Sequence, residues 1–211
     1  MRFVQHRSIK QRLLVPAAGL LAAIGIAACS QTPSTPAAAP APSAEDQAKA
    51  QVEHGRLLIS GGGCHDCHSP KKFDTGAPVP DADRLLSGHP ESAGVPQPFK
   101  QGAEKVWTTH ANDHLTAWSG AWGVSFAANL TPDNNTGIGI WTEQMFVDAI
   151  KQGKHMGTSR PILPPMPWTE YRHLPDEELK AMFAYLKSLP AIANRVPTPL
   201  GPDGKSIDDI Q

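Results

Sequence analysis

Apolar residues recur at helical spacing in three separate stretches of this 211-residue chain. In residues 45–60 one stripe holds Val52, Gly55 and Leu58 or Ile59. Ser43 stands where an N-cap belongs, and Glu45 and Asp46 suit the positive end of the helix dipole. In residues 142–151 Thr142 caps a helix whose Met145, Phe146, Ala149 and Ile150 face inward, and Gly153 closes it. In residues 174–189 the inward face is Leu179, Met182, Phe183 and Leu186, and Pro190 ends the helix. A mainly α chain is predicted. Gly55 inside the first helix costs about 1 kcal/mol relative to Ala, so a packing reason is expected for it.

The remaining pattern is irregular. Residues 69–128 contain recurrent Pro and Gly and no amphipathic helix, while 106–109 and 121–126 have strand composition and predict a small hairpin. Sixty residues without strong structure suggest a functional cover, and Trp107, Trp118 and Trp122 are expected to pin it down. Residues 129–141 read as a turn-rich loop. In Arg160-Pro-Ile-Leu-Pro-Pro-Met166-Pro-Trp168, four prolines freeze the backbone around one methionine. A core methionine needs no such rigidity, whereas a thioether that must meet a metal does. Residues 191–211 predict a loose tail, partly packed on the domain.

The N-terminus changes the picture of location. Arg2, Arg7, Lys10 and Arg12 precede a 16-residue uncharged run, residues 13–28, too short for a spanning helix. The run ends Ile26-Ala27-Ala28-Cys29, which resembles the bacterial lipoprotein signal. That resemblance implies cleavage before Cys29 and a diacylglycerol on its sulfur. An ordinary signal peptide and an uncleaved anchor are the alternatives. Residues 30–44, rich in Pro, Ala, Ser and Thr, would form an extended tether of roughly 45 Å at about 3.1 Å per residue. Loss of the four basic residues of the leader takes the net charge from −1 to −5. Nothing basic enough for nucleic acid remains, and an acidic surface favours a partner with a basic one.

Cys64-His65-Asp66-Cys67-His68 carries the chemistry. It reads C-x-x-C-H, the attachment signature of c-type haem. Cysteines three apart share one side of a helical turn and can bond the two vinyl edges of one porphyrin, which leaves His68 to ligate the iron. A zinc half-site or a redox disulfide is the other reading of C-x-x-C. Zinc would need a second ligand pair, and no second C-x-x-C exists. Three cysteines divide into one for lipid and two for haem, so no disulfide is required.

Together with Gly55-Arg-Leu-Leu, Gly62-Gly-Cys, Asn129-Leu-Thr-Pro-Asp and Thr136-Gly-Ile-Gly-Ile-Trp, these pieces resemble class I c-type cytochromes. They are most like the bacterial periplasmic monohaem ones and the cytochrome modules of dehydrogenase subunits. The resemblance implies a cytochrome c fold of about four helices around one covalently bound haem c, with a long loop and small β-hairpin inserted between the haem motif and the third helix. It implies that the first and last helices cross, with Gly55 opposite Phe183 or Tyr185. It makes Met166 the sixth ligand, with Met156 as runner-up. The multihaem subunits carry several C-x-x-C-H motifs and this chain carries one. The expected organisation is a signal peptide (1–28), lipidated Cys29 with its tether (29–48), a cytochrome domain (49–192) and a tail (193–211).

The function expected is one-electron transfer between redox proteins of the periplasm or membrane, not catalysis. The protein would be anchored at the membrane through Cys29. A peroxidase- or reductase-type enzyme and a haem gas sensor are the alternatives, both requiring a displaceable Met166. His68 is expected to donate its other ring N–H to a backbone carbonyl. Trp141, Asn129 and Arg160 are candidates for the haem propionates, with packing or loop capping as the competing explanation. The other histidines read as surface or capping residues.

Overall fold

A computed structural model describes residues 41–209 apart from Thr75 and residues 96–108. The leader, Cys29 and most of the tether lie outside the described residues, as does Trp107. Among the described residues five α-helices form: α1 (Ala44–Gly61), α2 (Cys64–His68), α3 (Glu143–Gln152), α4 (Trp168–Tyr171) and α5 (Asp176–Ser188). Ser43 caps α1 by accepting the Asp46 N–H, and Thr142 caps α3 by accepting that of Met145. Among the described residues no helix is long and apolar enough to cross a membrane.

The expectation of a mainly α, four-helix cytochrome c fold is corrected by two antiparallel sheets, which make the class mixed α and β. Strands β1 (Lys71–Lys72) and β2 (Val79–Pro80) form a short ribbon directly after α2. Strands β3 (Thr109–Ala111), β4 (Ala117–Gly120) and β5 (Gly123–Phe126) form a meander. Of the expected hairpin partners, residues 106–108 lie outside the described residues, and 121–126 supplies β5, whose neighbour is β4. Gly120 pairs with Gly123 across a two-residue Ala121-Trp122 turn, so β5 takes β4 as its neighbour and β3 joins the far side. The physical reason is local: the Gly residues flank the turn, Gly123 has φ 104°, and the Trp122 ring lies where a Cβ on Gly120 would be.

The core joins α1, α3 and α5 through Ile59, Phe146, Val147, Ile150, Leu179, Met182, Phe183 and Leu186. Helix α1 crosses α5 at Gly55, where an added Cβ would sit 1.9 Å from the Ala181 carbonyl oxygen and 3.0 Å from Tyr185 Cβ. Tyr185 is therefore one neighbour, as expected, but backbone rather than Phe183 supplies the closest approach. Phe183 packs on Phe146 instead, with ring centroids 5.5 Å apart. Residues 191–209 pack on the domain, as expected in part, and more firmly than a loose tail would. Leu200 exchanges both backbone hydrogen bonds with Val124 of β5, at 2.9 Å each. Asn194 is buried, with its amide donating to the Ser87 and His89 carbonyls at 2.6 and 2.8 Å.

Candidate functional site

The C-x-x-C-H segment is a single helical turn reached through two glycines. Gly62 caps α1, and Gly63, at φ 69°, turns the chain into α2 in a conformation that favours glycine. Cys64 and Cys67 are half-buried free thiols on that turn. Burial pushes the Cys64 thiol up to about 11 and raises that of Cys67 as well, with Asp66 adding to both. A redox-active dithiol needs a depressed thiol pKa, so this environment disfavours that reading of the motif. Among the described residues no group of three or more His, Cys, Asp or Glu side chains converges as a zinc site would require.

His68 is oriented by a backbone carbonyl sixty residues away. Its Nδ1 lies 2.8 Å from Ala128 O, and since a carbonyl accepts, Nδ1 carries the proton and Nε2 is left with a free lone pair. Burial lowers the His68 pKa and outweighs the Ala128 bond, which acts to raise it, so the net direction favours the neutral ring. Gly88 packs directly against the Ala128 carbonyl. A Cβ there would meet Ala127 O at 2.5 Å and Ala128 O at 2.7 Å, and Gly88 N–H donates to His68 O at 2.8 Å. Gly88 thus touches both ends of the histidine's support. The neighbouring Leu86 takes left-handed backbone, φ 58°, while Ser69 Oγ accepts its N–H at 2.9 Å and its carbonyl accepts the Leu130 N–H at 2.8 Å.

Lys71 is the functional-site residue that sequence reasoning missed. Only 7% exposed, its ammonium donates to three carbonyls at the end of α2: Ser69 at 2.6 Å, Asp66 at 2.8 Å and His65 at 3.2 Å. A cation there satisfies orphan carbonyls and opposes the negative end of the turn's dipole. Burial lowers the Lys71 pKa. The available signal was a basic residue just beyond the last turn. His89, expected at the surface or in a cap, is instead 1% exposed. Its Nε2 donates to Gly94 O and its Nδ1 accepts from Thr116 Oγ1, each at 2.9 Å.

The Met166 loop is fixed from three directions. Ser125 Oγ on β5 donates to Pro164 O, Ile162 N–H donates to Gly153 O at 2.8 Å, and the Trp168 ring covers the Cβ position of Gly153. Tyr171, at the end of α4, donates its hydroxyl to Gly62 O at 2.6 Å and ties this segment to the entry of the motif. Met166 and Cys64 pack against one and the same core, together with Leu130 and Trp141. Among the described residues Met156 is absent from that set. It sits in a turn at φ 54°. Met182 lies in the core, as its helical position suggested, whereas Met145 is only half-buried beside its own helix cap.

Leu130, Ile138 and Trp141 also line a cavity of about 760 Å³, within the range of small-molecule and cofactor sites. Phe126, Arg160 and Arg195 line it as well, and Cys64, Cys67, His68 and Met166 are not among its lining residues. All three propionate candidates line the cavity, and Arg160 Nε lies 4.0 Å from Asp208 Oδ1. Asn129 is 3% exposed and committed to the loop: its Oδ1 accepts from Thr131 N–H and Oγ1, and its Nδ2 donates to Ile192 O.

No protein-family profile matches the chain. It is 29% identical over 143 residues to the gluconate 2-dehydrogenase cytochrome c subunit of Pantoea cypripedii, covering 67% of this chain and 24% of that protein. It is 23% identical over 140 residues to a diheme cytochrome c-type protein of Cereibacter sphaeroides, covering 66% and 36%. These likenesses support a c-type cytochrome family for the chain. A third relative is a nicotinate dehydrogenase subunit from Pseudomonas putida, 26% identical over 148 residues, 70% of this chain and 9% of that one. The chain spans about a quarter or less of the length of the nicotinate and gluconate dehydrogenase subunits that it matches.

Proposed function

We propose that this protein is a one-electron carrier in which Cys64 and Cys67 hold a single haem c by thioether bonds and His68 and Met166 are the axial ligands. The observation that carries the reading is the tautomer of His68. Nδ1 is occupied by Ala128 O, so Nε2 is the nitrogen left to bind a metal, on the turn that bears both cysteines. When bound, haem supplies a reversible one-electron change at iron, and a thioether ligand favours the ferrous form.

The chain's own residues do the rest. Lys71 holds the carbonyl end of α2, and with it the position of His68. Ser125 and Trp168 hold the loop that delivers Met166. Leu130, Ile138 and Trp141 belong to the apolar cluster that also takes in Cys64 and Met166, and exclude water there, so little solvent reorganises when an electron moves. With both axial positions filled there is no open site for substrate, and the protein passes electrons without itself being an enzyme. The relatives named as dehydrogenase subunits make a dehydrogenase or a second cytochrome the natural partner. Export by residues 1–28 and acylation of Cys29 would hold the carrier at the bacterial cell envelope, on the periplasmic side, and mass spectrometry of the mature N-terminus should find the lipid there.

Carbon monoxide tests the redox reading. The ferrous holoprotein should not bind it near neutral pH, and the ferric form should show a Met-to-iron charge-transfer band. Met166→Ala should open the site to carbon monoxide and lower the potential. Rapid binding by the wild type would transfer the case to a gas sensor or a reductase. An unchanged spectrum in Met166→Ala would move the ligand elsewhere, with Met156 next in line.

A further inference from the structure

Tyr171 stands between the two segments that carry the proposed ligands. On one side it follows Met166 by a single turn. The Pro167 carbonyl, next to Met166, accepts the Glu170 and Tyr171 N–H groups at 3.0 and 3.3 Å, and Trp168 O accepts that of Arg172 at 2.9 Å. On the other side the Tyr171 hydroxyl donates to Gly62 O at 2.6 Å, with one residue, Gly63, between that carbonyl and Cys64. The approach depends on glycine: a Cβ on Gly62 would meet the Tyr171 hydroxyl at 3.2 Å and its ring at 3.5 Å. Tyr171, Leu58, Cys64 and Met166 all pack against one core. Burial raises the Tyr171 pKa, and the Cys64 and Cys67 thiols add to the rise, so the hydroxyl keeps its proton and remains a donor. A hydroxyl at Gly62 O also satisfies an orphan acceptor at the end of α1. Capping accounts for the acceptor. It gives no reason for the donor to come from the turn behind Met166.

We propose that Tyr171 is a positioning residue for Met166: its hydroxyl latches the turn behind the methionine to the carbonyl ahead of Cys64, and so sets how readily the sulfur leaves the iron. The proposal rests on the reading that Cys64, Cys67, His68 and Met166 hold haem. With the bond made, the methionine loop and the attachment turn move as one body. Without it the loop keeps its supports at Ser125 and Gly153 and loses its tie to the entry of the motif.

The test is a urea titration of the ferric holoprotein at pH 7 for wild type, Tyr171→Phe and Tyr185→Phe. The Met-to-iron charge-transfer band and far-ultraviolet circular dichroism are followed together. Tyr185, the chain's other tyrosine, is the control and packs at the crossing of α1 and α5. Tyr171→Phe keeps the ring and removes one hydroxyl, so the balance between Met-bound and Met-free forms should shift by about two- to tenfold, the range of one net hydrogen bond. The band should then vanish at a lower urea concentration than the helical signal, as a local opening does. The ferrous form should take up carbon monoxide in urea that leaves wild type closed. Tyr185→Phe should keep the wild-type gap between the two midpoints. Equal shifts of band and helical signal in Tyr171→Phe would reduce the residue to a helix cap and overturn the proposal. So would no shift, or an equal widening of the gap in Tyr185→Phe. A wild type without haem, or without the band, would instead sink the reading of the site before either variant was compared.

Discussion

Replacing Gly55 by Ala sets two known effects against each other at one position. Ala is a better helix former than Gly by about 1 kcal/mol in a helix interior. Against that, the new methyl would stand 1.9 Å from the Ala181 carbonyl oxygen and 2.5 Å from its carbon, where ordinary contact requires about 3.5 Å. The obstacle is the backbone of α5, which cannot rotate aside as a side chain can, so α1 and α5 must part by roughly 1.5 Å along a core contact. Overpacking of this kind costs about 1–3 kcal/mol, and a rigid obstacle puts Gly55→Ala at the upper end. The net expectation is a loss of about 1–2 kcal/mol, which lowers Tm by about 2–8 °C in a chain of this size. Thermal unfolding of the holoprotein by far-ultraviolet circular dichroism measures it. Gly61→Ala is the internal control, because its Cβ would meet nothing within 4 Å at the exposed end of the same helix. Its Tm should hold or rise. A Gly55→Ala protein as stable as wild type would refute the packing argument.

Gly88→Ala should lose about 2–3 kcal/mol, from a strained φ and a clash with the Ala127 and Ala128 carbonyls, and the haem spectrum should change because the acceptor of His68 is displaced. Lys71→Met should lose about 2 kcal/mol by stripping three carbonyls of their donor, read as a lower urea midpoint with unchanged m-value. The pH dependence has a definite sign at His89. Burial depresses its pKa, so in acid the unfolded chain binds the extra proton more readily than the folded one. The stability contributed by neutral His89 is complete above the ordinary histidine value of about 6.5 and is lost as pH falls through the depressed folded value. His89→Gln should flatten the fall in Tm between pH 7 and 5, and an unchanged slope would show that another group controls it.

The helices were legible because each buries a stripe whose period can be read locally, and Ser43 and Thr142 cap two of them as expected. In α3 the stripe missed Val147, which is buried, and admitted Met145, which is only half so. The β-meander was legible as composition but not as pairing, because register depends on which Gly pair closes the turn. The proposed roles of Cys64, Cys67 and His68 rest on their spacing. What holds them was not legible there. The acceptor of His68 is a main-chain carbonyl sixty positions away, which any residue type could provide. Asn194 is bonded to carbonyls more than a hundred residues distant. Such contacts belong to topology, and a side chain's identity carries no trace of them.

The bond from Ser125 to Pro164 has a consequence for anyone wishing to shrink this protein to a minimal redox module. Excising the meander looks harmless, since it lies apart from the three main helices in sequence. It would remove a hydroxyl that braces the methionine-bearing loop and the strand edge on which the chain terminus docks at Leu200. A trimmed version must rebuild both supports, or leave Met166 on an untethered arm.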